Sequence, residues 1–322
     1  MADGKLRGDG LMGRASSRRK NLEDWAVYGF FRALTWMAGL VPPSSAYRFF
    51  GGLGQWIARH DAKHRHIALV NLRIAFPEAD DAWRIEVFER SYRHLGEHFV
   101  ELARLAKEPA ERLIERISYE PNRGLENYEE ARKHGAVLFV TAHVSAWELL
   151  PQGHALRARP LHFVVRPLDN PLLDQWATKL RERFGNRVLP KQGAVRGMLA
   201  RLRSGEDVGV LIDQNVQAKE GVFIEMFGHV ACTTPAAAAL ALKTGCLAVP
   251  AFLVPTAQVG HYHIRFYPPV KVKDGADREA TLRYWTQEFT GFVEHVIRDF
   301  PHCWLWGHRR FLTQPDGVNP YA

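Results

Sequence analysis

The chain has 322 residues, 46 % of them hydrophobic, and a formal net charge of +8 at pH 7. This hydrophobic content excludes wholesale disorder and suits one large α/β domain with a helical portion. Three scattered cysteines without CxxC spacing indicate a reducing compartment and no disulfide framework. A basic chain can bind nucleic acid, anionic lipid or an acidic carrier. Because zinc-finger, RRM and helix-turn-helix patterns are missing, we expect a membrane or an acidic substrate and no nucleic acid.

The start of the chain predicts a basic tail followed by an aromatic helix. Residues 1–24 are polar and rich in Lys and Arg, so we expect a flexible tail there. Residues 25–41 are apolar and aromatic but contain Arg32. A central charge makes this stretch marginal as a membrane span, whereas its tryptophans and the basic tail are typical of a helix at a membrane interface. A spanning helix and an ordinary core helix stay open as alternatives.

Amphipathic helices are predicted to continue beyond that stretch. Apolar residues recur at helical spacing over 44–60 and 81–105, and a shorter helix is predicted at 109–116. This part of the sequence shows no chemistry beyond packing and membrane contact. We therefore predict a helical, membrane-associating portion over 25–120 and an α/β core over 121–322.

Strands and helices alternate from Ala136 onward. This alternation predicts a mixed, largely parallel sheet with helices on its faces. The predicted strands are 137–142, 161–166, 187–189, 208–212, 247–254 and 262–267, and the last long helix is 278–300.

The first of these strands ends at a histidine, His143, and Glu148 follows five positions later. Open α/β sheets bind ligands at the carboxyl ends of their strands. An imidazole can take a proton near neutral pH, and a nearby carboxylate can fix its tautomer. Ser145 and Glu148 also match a helix capping box, but Pro151 would then lie inside the helix at a cost of about 3 kcal/mol. We therefore predict a loop or distorted turn before Pro151, with His143 and Glu148 as candidate catalytic residues.

His143 and Glu148 fit the H-x4-D/E signature of glycerolipid-type acyltransferases, and the wider sequence resembles the lipid A secondary acyltransferases. The resemblance runs from about Trp25 to Pro315. The chain departs from the broader glycerolipid enzymes at Ala79, where their FPEG block has glycine, and this points away from a glycerol-3-phosphate acceptor. The blocks that carry the resemblance are NLRIAFPE (71–78), VRPLDNPLLD (165–174), GVLIDQN (209–215), GVFIEMFGHVACTTPAAAALALKTG (221–245) and WLWGHRRF (304–311).

The resemblance implies a membrane-associated O-acyltransferase on the cytoplasmic face of a bacterial inner membrane. Such an enzyme moves a fatty acyl group from a thioester, on acyl carrier protein or CoA, to a hydroxyl of a lipid A precursor. The implied partners are therefore acyl carrier protein, a glycolipid acceptor and an anionic membrane surface, with no metal and no further cofactor. His143 would remove the proton of the acceptor hydroxyl, and Glu148 would hold and charge-balance the imidazole.

Other polar residues are expected near the same sheet edge. Arg166 closes a predicted strand, and the resembling family has an active-site arginine in this block; it would contact a phosphate or a pantetheine-linked donor, with a surface ion pair as the alternative. Asp213 and Gln214 end another buried strand, where the carboxylate could orient an arginine or order the substrate-binding loop. Arg309 could meet lipid phosphates or merely pack the C-terminal arm. The bulky apolar residues suited to walling an acyl tunnel are Val222, Phe223, Met226 and Phe227.

Three alternative functions remain at this point. An acyltransferase acting on a phosphatidylinositol mannoside would share the H-x4-D/E layout. A non-catalytic basic protein could bind anionic membranes through its charge alone. A zinc hydrolase could use His143 and His154.

Overall fold

The computed structural model describes the backbone of residues 8–322 and the side chains from Lys20 onward. Residues 1–7, the first part of the predicted tail, lie outside the described residues. The rest of that predicted tail is helical, because the first helix, α1, is Gly8–Ala38. The other N-terminal helices are α2 (Pro43–His60), α3 (Ala62–Ala75), α4 (Asp81–Leu105) and α5 (Ala110–Arg116). Helices α2, α4 and α5 confirm three predicted helices.

Two glycines allow α2 and α4 to cross with their backbones in contact. A Cβ atom on Gly54 would lie 2.1 Å from the carbonyl oxygen of Tyr92, and one on Gly96 would lie 2.0 Å from that of Phe50. No side chain fits at such distances, so the crossing depends on glycine at both positions. This close packing fixes α4, which also contacts the site described below.

Seven strands of the described chain form one sheet in the order β1-β9-β8-β2-β5-β3-β4. All neighbouring pairs are parallel except β8 and β9, which confirms the predicted mixed, largely parallel sheet. Strand β2 is central and fully buried. The strands of this sheet are β1 (Ile117–Tyr119), β2 (Val137–Thr141), β3 (Leu161–Val164), β4 (Arg187–Leu189), β5 (Asp207–Leu211), β8 (Leu247–Pro255) and β9 (Tyr262–Phe266).

Helices cover both faces of the sheet, so alternate residues of each strand enter different cores. Phe139 belongs to the core under the helices that include α6 and α7, whereas Leu138 and Val140 belong to the core under α9, α10 and α11. The helices of this part are α6 (Leu125–Arg132), α7 (Leu150–Arg157), α8 (Pro171–Arg181), α9 (Ala194–Arg203), α10 (Ala236–Thr244) and α11 (Arg278–Asp299).

A two-stranded hairpin, β6 (Val222–Met226) and β7 (His229–Thr233), lies outside the main sheet and was not predicted. Its two-residue turn is Phe227 and Gly228, with φ of 53° and 73°, the conformation of a type I′ turn. The backbone N–H of Glu225 donates to the side chain of Gln287 on α11 at 2.7 Å. The hairpin therefore packs on the outer helix rather than on the sheet.

The C-terminal arm, residues 300–322, connects the N-terminal helices to the carboxyl edge of the sheet. The side-chain amide of Asn71 on α3 donates to the carbonyl oxygens of Trp306 and His308, at 2.7 and 2.8 Å. Tyr321 donates its hydroxyl to the side-chain oxygen of Asn71 at 2.6 Å. One buried asparagine thus holds two parts of the arm in place, and the arm reaches the site.

Candidate active site

Two neighbouring parallel strands place His143 and Asp213 side by side. Thr141 of β2 pairs with Leu211 of β5, so both strands end at the same edge of the sheet. Nδ1 of His143 lies 2.9 Å from Oδ1 of Asp213, and the backbone N–H of His143 donates to Oδ2 at 3.0 Å. Because an ionised carboxylate only accepts, Nδ1 carries the proton and Nε2 is left free to act as a base.

The buried carboxylate of Asp213 has a further donor in the C-terminal arm. The indole Nε1 of Trp304 donates to its Oδ2 at 2.9 Å. Burial raises the pKa of Asp213, but the charge and hydrogen bond of His143, together with the bonds from Trp304 and the backbone, lower it to about 2. Asp213 is therefore a fixed anion against the imidazole.

Asp213 in turn changes the basicity of His143. Burial lowers the pKa of the imidazole, but the charge of Asp213 and its hydrogen bond outweigh burial, and Glu148 adds to them. The net effect raises the pKa of His143 above its ordinary value. The site thus favours proton uptake by this imidazole.

The structure corrects the expectation that Glu148 holds the imidazole. Both carboxylate oxygens of Glu148 accept from Arg181 of α8, at 2.6 and 3.0 Å. Burial raises the pKa of Glu148, but the hydrogen bonds and charge of Arg181 outweigh it and lower that pKa. The cause is local geometry, because a 3₁₀ turn, Trp147–Leu149, turns this carboxylate toward α8. Helix α7 then begins at Leu150 with Pro151 in its first turn, so the distorted turn predicted before Pro151 is confirmed.

A cavity of about 800 Å³ opens at His143 and runs along the sheet. Gly209 of β5 belongs to its lining, and a Cβ atom there would crowd Leu161, with 3.3 Å to Leu161 Cδ1. The volume falls within the range of small-molecule sites, and most of the lining residues are apolar, as a hydrocarbon chain requires. The apolar lining residues include Phe139, Leu150, Leu161, Phe163, Met198 and Ala251.

The predicted substrate-binding residues separate into two groups. Arg166 and Gln214 line the cavity with His143; Nε2 of Gln214 lies 3.5 Å from Nε2 of His143, and Arg166 is exposed at the rim. Arg309 is also exposed but does not belong to the lining residues of this cavity. Its neighbour Arg310 is fully buried and donates to the carbonyl oxygen of Cys232 at 3.0 Å, so it packs the C-terminal arm.

The residues expected to wall an acyl tunnel lie elsewhere. Met226 and Phe227 are buried in the core on the α11 side of the sheet, and neither belongs to the lining residues of the cavity. Period-two alternation in β6 and the tight turn place these side chains in the core.

Sequence reasoning missed Arg181, Trp304 and His308. His308 accepts a hydrogen bond at Nε2 from the backbone N–H of Asn215 at 3.0 Å, and so holds the loop that follows Asp213. Burial lowers the pKa of His308, consistent with a neutral ring. These residues lie tens of positions along the chain from their partners, so no local sequence pattern predicts the contacts. The block WLWGHRRF, which carries part of the family resemblance, did include Trp304 and His308.

Two further findings concern the described part of the chain. Among the described side chains, from Lys20 to Ala322, no group of three or more His, Cys, Asp or Glu residues is placed to hold a metal ion. Over the same residues, no helix combines the length and the apolar character needed to cross a bilayer.

An imidazole held by an ionised carboxylate at the mouth of an apolar cavity defines the class of protein: an enzyme that activates a hydroxyl group beside a hydrophobic substrate. A family model described as "Bacterial lipid A biosynthesis acyltransferase" matches residues 14–313. The chain belongs to this family, and it is an acyltransferase of lipid A biosynthesis.

Characterised relatives cover most of the chain. It is 26 % identical over 301 residues to a lipid A biosynthesis acyltransferase of Haemophilus influenzae, covering 92 % of this chain and 91 % of the relative. It is 29 % identical over 289 residues to the lipid A biosynthesis lauroyltransferase of Escherichia coli, covering 88 % and 90 %. The palmitoleoyltransferase of the same organism is 27 % identical over 264 residues, covering 81 % and 83 %.

Proposed function

We propose that this protein is a membrane-associated O-acyltransferase that moves a fatty acyl group from an acyl carrier protein or CoA thioester to a hydroxyl of a lipid A precursor. The observation that carries the proposal is His143, whose Nδ1 is bound to Asp213 and whose Nε2 is free at the mouth of the apolar cavity. The printed names of the relatives, lauroyltransferase and palmitoleoyltransferase, support fatty acyl groups as the transferred unit.

The chemistry is a direct transfer with no acyl-enzyme. Nε2 of His143 takes the proton of the acceptor hydroxyl as its oxygen attacks the thioester carbonyl, and the C–O bond forms. The tetrahedral intermediate then expels the thiolate, which takes the proton from the imidazolium. Asp213 stabilises the imidazolium between these two steps, since it is ionised and hydrogen-bonded to Nδ1. General-base help of this kind contributes about 10²–10⁴-fold.

The polar rim of the cavity supports an anionic carrier for the donor. Arg166 and Lys191 lie on the cavity lining, and both acyl carrier protein and CoA present phosphate at the thioester arm. The fork of Arg166 suits a phosphate. The Glu148–Arg181 ion pair adds a second polar group to the cavity lining, between His143 and α8.

Membrane association at the cytoplasmic face of the inner membrane is supported by exposed apolar side chains on α1 and α2. Trp36 and Trp56 are each more than half exposed, and the net charge of +8 favours an anionic lipid surface. An enzyme whose acceptor is a lipid gains access to it from such a surface.

The proposal is tested by replacing His143 with alanine. Purified His143→Ala protein should transfer acyl groups from acyl carrier protein to a lipid A precursor at least 10²-fold more slowly than wild type, as measured by mass spectrometry of the product. The matched control is His134→Ala, an exposed histidine just before the opposite end of β2, which should keep wild-type transfer. Near-wild-type transfer by His143→Ala would refute the mechanism, and transfer only to another glycolipid would refute the acceptor.

A further inference from the structure

A second, smaller apolar cavity lies between α1, α4 and α8. Its volume is about 240 Å³, larger than the engineered 150 Å³ cavity that binds benzene. The ring of Phe31 on α1 packs edge-on against Trp176 of α8, with centroids 5.0 Å apart, and so closes one wall. The apolar side chains that line it are Phe31, Leu102, Leu168, Leu173, Trp176, Ala177 and Leu180.

The two cavities meet at Glu148, whose charge also acts on His143. Glu148, Arg181 and Leu168 line both of them, so the ion pair forms a polar partition between two apolar compartments. The second cavity therefore begins at the Glu148–Arg181 pair, on the side of it away from the main cavity. A molecule whose hydroxyl reaches His143 has this compartment next to it.

We propose that the second cavity binds an alkyl chain of the lipid acceptor while its hydroxyl lies at Nε2 of His143. This inference rests on the proposed function, because direct transfer requires donor and acceptor to be bound together. The donor chain occupies the main cavity, so a chain of the acceptor needs a separate apolar compartment that starts at the same place.

The lining chemistry selects a chain rather than a headgroup. Apart from Glu148 and Arg181, which already bind each other, the walls present only apolar groups. Nη1 of Arg181 is the one wall donor without a partner among the described residues, so most sugar hydroxyls buried there would lack hydrogen-bond partners at a cost of about 1–3 kcal/mol each. At about 30 Å³ for a group the size of water, the space takes about eight methylene-sized groups, which is part of one chain.

The position of α1 connects this cavity to the proposed membrane surface. Phe31 points to the cavity, whereas its neighbour Phe30 is 67 % exposed and Trp25 is 60 % exposed. The same helix thus forms a wall of the cavity and carries the apolar outer surface. An acceptor chain can pass from the lipid phase to the cavity along one helix.

The test fills the cavity without touching the main one. Ala177 is buried on α8 and lines only the second cavity. Ala177→Phe should raise the KM for the lipid acceptor at least tenfold while the KM for the acyl donor stays at the wild-type value. The matched control is Gln175→Phe, which adds the same ring to the exposed side of α8 and should leave both constants unchanged.

Ala177→Phe adds bulk at a buried position, and overpacking destabilises cores by about 1–3 kcal/mol. A second variant therefore tests the cavity without added bulk. Leu173→Ala removes wall contacts instead of adding bulk, and it should also raise the KM for the acceptor selectively. An acceptor KM that stays at the wild-type value in both variants, or a donor KM that rises in step with it, overturns the assignment of the cavity and leaves the proposed function standing. Wild-type protein that transfers no acyl group to the lipid acceptor overturns the proposed function, and this assignment with it.

Discussion

At the scale of single residues, the hydrogen bonds around Asp213 determine the state of the base. Its carboxylate binds three donors, from the ring and backbone of His143 and from the indole of Trp304. With that carboxylate ionised down to about pH 2, the imidazole keeps its proton on Nδ1. Proton transfer at Nε2 then needs no rearrangement of the ring.

Asp213→Asn should change both the rate and its pH dependence. His143 acts as a base only when neutral, so kcat/KM of the wild type rises as pH rises through a His143 pKa above its ordinary value. Without the charge of Asp213, burial dominates and that pKa falls, so the rising limb moves to lower pH. The plateau should fall by about 10²–10⁴-fold because the imidazolium loses its counter-charge. The measurement is a pH–rate profile; an unmoved rising limb would contradict the role of Asp213.

Glu148→Gln should weaken the fold as well as the site. The Glu148 and Arg181 side chains are only 18 % and 14 % exposed, and removing one charge leaves the other without its counter-ion. Breaking a buried pair costs about 3–5 kcal/mol, and partial exposure places the expected loss at the low end. Urea denaturation should show it. Glu148→Gln/Arg181→Met removes both charges and should recover most of the loss; equal stability of single and double variants would contradict this account.

The sequence predicted His143 at a strand end but assigned its carboxylate partner to Glu148. That assignment used proximity along the chain, five positions, whereas the actual partner is 70 positions away. Asp213 was predicted at the same sheet edge, so the strand pattern contained the correct residue. The strand pattern does not give the strand order, in which β2 and β5 are neighbours. It also does not predict that Glu148 binds Arg181 instead of His143.

At the scale of elements, β5 shapes the main cavity through a missing side chain. Gly209 faces Leu161 and Phe163 of β3, with a virtual Cβ 3.3 Å from Leu161 Cδ1 and 3.9 Å from Phe163 Cβ. Any larger residue projects into the space where we place the donor chain. The side chains of β5 alternate between the two faces of the sheet, and this alternation places Gly209 on the face of the cavity. The missing side chain thus sets how far the cavity extends over the sheet.

Gly209→Val should shorten the acyl chains that the enzyme accepts. Each methylene that no longer fits loses about 0.8 kcal/mol of burial, close to fourfold in affinity. The ratio of kcat/KM for palmitoyl over octanoyl thioester should therefore fall at least tenfold. The short substrate serves as the internal control. An unchanged ratio would place the acyl chain away from β5.

The elements themselves were predicted unevenly. Long periodic helices such as α4 and buried strands such as β2 follow from their apolar spacing. The β6–β7 hairpin was missed because its turn is Phe227-Gly228, with a phenylalanine at positive φ in place of the usual Asn or Asp. Tertiary packing against α11 holds that conformation, and no local pattern encodes it.

At the scale of the whole molecule, exposed apolar side chains and the positive net charge support the proposed lipid surface. Helices α1 and α2 expose large apolar residues, whereas the net charge is +8. Ordinary soluble surfaces do not expose extended apolar patches without a partner. The exposed large apolar residues on these two helices are Leu22, Trp25, Val27, Phe30, Trp36, Met37, Phe49, Leu53, Trp56 and Ile57.

Replacing one tryptophan on each helix should detach the protein from membranes. Trp36 and Trp56 are 57 % and 59 % exposed, and burying half of such a ring in lipid contributes about 2 kcal/mol. The variant Trp36→Glu/Trp56→Glu should thus bind vesicles of phosphatidylethanolamine and phosphatidylglycerol at least a hundredfold more weakly, as measured by sedimentation. Tyr284→Glu, at an exposed aromatic residue on α11, is the matched control and should bind as wild type.

High salt separates the contributions of charge and of apolar burial, because it screens charge but not apolar burial. Wild-type protein should therefore stay bound at about 1 M salt through its tryptophans. Complete release of the wild type at that salt would show that charge alone binds the membrane. It would contradict the proposal that the exposed apolar residues give the enzyme access to its lipid acceptor.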